Sequence, residues 1–208
     1  MENVFLNSLM VGAVLLGCAV FSALASDPDS LYDYIVAPGV NPANVSADLF
    51  TFRAKKADRV AGKLIVQKIS LADIPTLDGA GVSMATLYFP PGVANRLHLH
   101  PRASELLQVT GGSLFVSFID TMGHRFDQKL QPGDAFVFPK GMVHFQINLD
   151  PKNPAHAIAA FSGANPGTIP IATTVFGSGL SVEVLQQSFN ISKESVELLV
   201  AANTAPPL

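Results

Sequence analysis

A chain of 208 residues suits one domain, because domains commonly run ~100–200 residues and a chain of this length can bury a sizeable core. Its formal net charge is −3, and its 13 basic residues are scattered, which excludes the one-sided basic face of a nucleic-acid binder. With 49% hydrophobic and only 14% charged residues it is not a disordered chain; part of the apolar excess falls in a removable leader and part is available to cover subunit interfaces.

The N-terminus sets the compartment. Leu9 to Leu24 is an apolar run ending in Ala23-Leu24-Ala25, an A-x-A site of the kind that signal peptidase cleaves, so residues 1–25 read as a signal peptide and the mature chain as 26–208. A membrane anchor is the competing interpretation, since the run approaches the ~17 residues that can span a bilayer. Residues 1 to 8 hold Glu2 and no Lys or Arg, an unusual feature for a leader. The sole cysteine, Cys18, falls inside it, so the mature chain has no disulfide and draws its stability from its core, from metal binding or from assembly. Two sequons, at Asn44 and Asn190, fit secretion and are glycosylation candidates.

From residue 26 to about 60 the sequence is rich in Asp, Pro, Asn and Gly, with Tyr32, Tyr34, Ile35, Leu49 and Phe50 interspersed. It reads as an extended arm pinned by its apolar residues. Between about 61 and 177 the texture changes to short apolar runs: Leu64 to Ile69, Val82 to Phe89, Glu105 to Val109, Leu114 to Ile119, Asp134 to Phe138, His144 to Asn148 and Ala155 to Phe161. Turn signals such as Pro90-Pro91-Gly92, Gly111-Gly112, Pro132-Gly133 and Lys140-Gly141 separate them. Strands at this spacing predict an all-β fold, an antiparallel sandwich or barrel. Ile169 to Phe176 is mixed. In the tail, from about 178 to 208, Val182 to Phe189 and Ser192 to Ala202 read as short helices. Ser192 can cap the second, Glu194 complements its dipole, and Val196, Leu199 and Val200 share one face.

The chemistry concentrates between Gly92 and Asn148. His98 and His100 are two apart, so on a strand both point to one face; Glu105 opens the next strand, and the turn at Lys140-Gly141 feeds a strand carrying His144. Three neutral imidazoles and a carboxylate bind a divalent first-row ion and leave a position for water or substrate. A lone histidine on a strand is ordinarily a hydrogen-bonded core or surface residue, and His124 and His156 fall in that class. For Glu105 alone, a salt bridge to Arg102 is the alternative.

The two blocks read G-x5-HxH-x4-E-x6-G from Gly92 to Gly112 and G-x5-PxG-x2-H-x3-N from Gly133 to Asn148. In this form they resemble the two cupin motifs of plant germins and germin-like proteins, and the similarity extends over essentially the whole mature chain. The resemblance implies a cupin β-barrel, or jelly roll, holding Mn²⁺ on His98, His100, Glu105 and His144. It also implies secretion to the extracellular space, apoplast or cell wall, and a homo-oligomer, a hexamer built as a trimer of dimers. Manganese comes from the family alone, because this ligand set by affinity prefers ions later in the series.

Several positions depart from the family pattern. Ile35 stands where the first of a cysteine pair is expected. Oxalate-oxidising germins resemble this chain at Asn95, where an asparagine helps to hold substrate, but a second substrate asparagine is replaced by Ala85. A lost amide removes a hydrogen bond worth ~1.5–3 kcal/mol to a charged partner, which argues against oxalate oxidation. The pair before His98, commonly two prolines, is Arg96-Leu97, which changes the cavity mouth and its charge. Three functions compete: superoxide dismutation by manganese cycling, with Asn95 orienting a bound water or anion; a non-catalytic receptor, binding module or structural oligomer with the same metal site; and nucleotide-sugar hydrolysis, for which no residue can be named.

Overall fold

A computed structural model describes residues 33–36, 39–41, 45–54 and 62–204. The leader, Cys18, the Asn44 sequon and much of the arm lie outside the described residues. The strands are Ile65–Ile69 (β1), Ser83–Phe89 (β2), Ala94–Leu99 (β3), Glu105–Gly111 (β4), Leu114–Ile119 (β5), Arg125–Leu130 (β6), Ala135–Phe138 (β7), Val143–Ile147 (β8), Ala155–Phe161 (β9) and Ile169–Pro170 (β10). Helices follow at Ile171–Phe176 (α1), Val182–Phe189 (α2) and Lys193–Asn203 (α3).

The strands form two antiparallel five-stranded sheets, β1-β2-β9-β4-β7 and β10-β3-β8-β5-β6, as in a jelly roll. Alternation puts Leu87 and Phe89 of β2, Leu107 and Val109 of β4 and Ala157 and Ala159 of β9 on the inner face of the first sheet, against Leu114 and Val116 of β5. Alanines on β9 keep that central strand thin, leaving room for the large cross-strand neighbours Leu87, opposite Ala157, and Leu107, opposite Ala159. The β4–β5 connection turns at Gly112, whose φ is +69° and where an added Cβ would lie 2.5 Å from the Pro154 carbonyl oxygen. No larger residue fits there, which accounts for the closing glycine of the first motif.

All seven predicted strands are present, with ends displaced by at most two residues. β6 was not among them, nor was β3 as an apolar run, although the strand expected to carry His98 is β3, which ends one residue before His100. β6, Arg-Phe-Asp-Gln-Lys-Leu, is an edge strand whose first five residues are exposed, and Gln128 interrupts its apolar face between Phe126 and Leu130. The mixed stretch divides into β10 and α1. Ser181 and Ser192 cap α2 and α3 by accepting from the Val184 and Ser195 amides. Val196 is the buried anchor of α3, whereas Leu199, expected on the same face, is 38% exposed beside the more exposed Leu198.

Candidate metal centre

β3 brings the first ligands to the inner face. Its register against β8 pairs Asn95 with Gln146 but His98 with His144, so β3 carries one extra residue between the two pairs. Residues 95 and 98 would face opposite sides of a regular strand; the bulge turns both inward. His100 lies one residue beyond the strand end, and Gly141 donates its amide to the His100 carbonyl, tying the two motif loops together. Glu105 opens β4 in the opposite sheet, between Phe138 and Phe161 in register. His144 on β8 stacks on Phe138, with ring centroids 4.4 Å apart.

His98, His100, Glu105 and His144 are all buried, and each offers a ligand atom within 4.8 Å of the others. The sequence-predicted ligand set is therefore brought together in full. Arg102 is not a partner of Glu105. Its Nε and guanidinium nitrogen donate to the backbone oxygen and Oδ1 of Asn165, at 2.8 and 2.9 Å. His124 is exposed and pairs with Asp120, and His156 packs against the Tyr88 ring, so both lie outside the site. Asn190, exposed and in the left-handed conformation, closes α2.

The donor chemistry fits a cation. His98 Nδ1 meets the Arg96 carbonyl at 2.7 Å, His144 Nδ1 meets the Met142 carbonyl at 2.8 Å, and His100 Nδ1 meets the Gly167 carbonyl. Carbonyls only accept, so each Nδ1 carries the hydrogen and each Nε2 turns a lone pair inward. Nε2 of His100 and of His144 stand 3.0 and 3.3 Å from Glu105 Oε2. Lone pairs converging on a carboxylate repel one another unless a positive charge lies among them. A divalent ion supplies that charge to all four groups at once; at His98 a proton does so poorly, because burial, and then the proximity of His144, lowers its pKa to about 4. Burial raises the Glu105 pKa, but His100 and His144, wherever they carry a proton on Nε2, outweigh it and lower it to about 2, so the carboxyl is ionised at neutral pH.

Gln146 is the residue that sequence reasoning missed. Wholly buried, it donates from Nε2 to Glu105 Oε1 at 3.3 Å and accepts at Oε1 from Asn95 Nδ2 at 2.9 Å. An Asn95–Gln146–Glu105 chain thus links a candidate substrate residue to a metal ligand. Period-two alternation from His144 places Gln146 on the same face, and that signal was available in the sequence. Beyond the ligands lies a cavity of about 460 Å³, lined by Ala85, Leu87, Asn95, Ala159 and Phe161 and by the 165–168 loop.

Comparison with known proteins agrees with this construction. A family model described as Cupin matches residues 56–197. Germin-like protein 9-2 of Oryza sativa subsp. japonica is 44% identical over 195 residues, covering 91% of this chain and 90% of that protein. Germin-like protein 9-3 of the same organism is 38% identical over 206 residues, 95% of this chain and 96% of the relative. Among solved structures, an oxalate oxidase superposes with a TM-score of 0.78 at 31% identity, over 86% of this chain and 98% of its own.

Proposed function

The chain belongs to the cupin family, among its germin-like proteins, and from that premise we propose that it is a secreted manganese protein of the plant apoplast that dismutes superoxide. The observation that carries this reading is the buried three-histidine, one-glutamate cluster open on one side to a cavity. Manganese held by the three Nε2 atoms and Glu105 would supply one-electron chemistry between its +2 and +3 states. Two superoxide anions and two protons give one O₂ and one H₂O₂, one anion being oxidised and the other reduced. The chain's own part is to aim the imidazoles through their Nδ1 bonds, keep Glu105 ionised, and orient water or an anion with Asn95, itself fixed by Gln146.

Oxalate oxidation is disfavoured. The solved relative is an oxalate oxidase, but here Ala85 lines the cavity where a second substrate amide is expected, and a methyl group cannot hydrogen-bond a carboxylate. Metal analysis joined to a superoxide assay on the secreted form tests the reading: about one manganese per chain with superoxide consumption, both lost in His98→Ala, supports it. Metal bound without turnover of superoxide or oxalate would instead favour a binding or structural module.

The same reading includes a homo-oligomer, with the hexamer as its family form. On the outer face of the first sheet Ile69, Met84, Ala160, Leu106 and Val137 stand directly opposite one another across all five strands. Leu106 and Val137 are 48% and 53% exposed, an apolar row suited to a second subunit. Leu106→Asp should shift the sedimenting species toward the monomer, and the exposed Asn190 should carry a glycan in protein from a plant host.

A further inference from the structure

Lys68 of β1 stands opposite Ala85 of β2 in register, and both line the cavity that holds His98, His100 and Glu105. Its ammonium donates to Thr168 Oγ1 at 3.4 Å. Thr168 borders both this cavity and an adjoining groove that carries Lys63 and Arg96, the two openings sharing Asn95 and His98 as well. Three cations therefore line two adjoining openings that share Asn95, His98 and Thr168, on a chain whose net charge is −3. Among the described residues none of the three has a carboxylate partner within 4 Å.

We propose that Lys68, assisted by Lys63 and Arg96, is a specificity-determining residue that draws a small anion into the metal cavity from the wall position vacated by the amide at residue 85. This rests on the site being a metal centre that takes a small substrate. Cations with no counter-charge among the described residues, at the mouth of an apolar-walled cleft, focus their potential into it and raise both the local concentration and the entry rate of anions. The strand register supplies the geometry. Ala85 is too short to reach a ligand in the cavity, whereas the cross-strand lysine has a long flexible stem and ends in three donors.

Azide is a suitable probe, added to the intact protein loaded with cobalt(II) and followed by the visible absorption of the metal. Lys68→Gln should weaken azide binding about tenfold, as expected for loss of one charge-assisted contact. Lys68→Glu should weaken it further, and Lys68→Arg should retain most of it. The salt dependence of azide affinity should flatten in Lys63→Gln/Lys68→Gln/Arg96→Gln. Lys68 is exposed and bonds Thr168 rather than a ligand, so cobalt content and thermal stability of the Lys68 variants should match the parent. Unchanged azide affinity and an unchanged salt slope in Lys68→Gln and in the triple variant would overturn the proposal. Lys68-dependent azide binding in a manganese-loaded protein that consumes no superoxide would overturn the proposed activity and leave the anion gate standing.

Discussion

The Nδ1–H of His100 donates to the carbonyl oxygen of Gly167, 67 residues further along the chain. A metal ligand from the first motif is thus aimed by a loop that neither motif contains. That loop is held by Arg102, whose backbone amide donates to Pro166 and whose side chain donates to Asn165. Gly167 has a φ of +66°, and an added Cβ would lie 2.8 Å from the Arg102 guanidinium. Arginine and glycine therefore fit as a pair.

Arg102→Ala is accordingly expected to weaken metal binding by about 10–100-fold, the usual cost of losing a group that orients a metal ligand. Gly167→Ala, which strains the same loop, should act in the same direction. Competitive titration against a chelator measures both effects. Metal affinity unchanged in both variants would show that His100 is held by the strand end alone.

Gln146→Leu keeps the bulk of the side chain but removes its donor to Glu105 and its acceptor for Asn95. The buried Glu105 loses a partner at a cost of ~1–3 kcal/mol, and the half-buried Asn95 loses one at a smaller cost. The expected result is a lower melting temperature together with weaker metal binding, while His124→Ala, on an exposed loop, changes neither. Equal metal affinity in Gln146→Leu would reduce the Asn95–Gln146–Glu105 chain to a packing detail.

Acid should strip and then destabilise the protein. His98 protonates near its ordinary pKa of 6.5 when unfolded but only near 4 in the fold. The unfolded chain therefore binds more protons between those values, and stability falls as the pH drops from about 6.5 to about 4. Glu105, lowered from 4.5 to about 2, adds a second loss as the pH falls through that interval. Melting of metal-free protein should be flat above neutrality and decline through the first window, and the stabilisation conferred by bound metal should shrink in parallel as protons compete for the ligands. A melting temperature that holds steady from neutrality to pH 4 would refute this.

The sequence revealed the site more fully than the fold around it, for physical reasons. A ligand set needs particular side chains at particular spacings, and His98, His100, Glu105 and His144 survive in the primary sequence as types. Strands are legible only through apolar alternation, so β9, with alanines and Phe161 turned inward, has its predicted ends. On β6 the face carrying Phe126 and Leu130 is interrupted by Gln128, and β3 is largely occupied by site residues, so the alternation is broken in both. Gln146 shares the inward face of His144 by period-two alternation, but its partners Asn95 and Glu105 are brought near only by tertiary folding. Gly167 escaped altogether, because a backbone carbonyl has no spacing rule of its own.

Ala85→Asn gives the sharpest test of whether an amide at this position of the cavity wall favours oxalate. Position 85 is buried on β2, faces the cavity and sits opposite Lys68. An asparagine there restores a donor to the wall facing Asn95, and the open volume of about 460 Å³ accommodates the extra atoms. A hydrogen bond to a carboxylate is worth ~1.5–3 kcal/mol, so oxalate should bind the metal-loaded variant about 10–100-fold more tightly than the parent. If affinity rises and oxalate is still not oxidised, the missing amide governs binding alone and the chemistry is limited elsewhere. If affinity does not change, Lys68 already satisfies the anion, and the absence of an amide at residue 85 ceases to be an argument against oxalate.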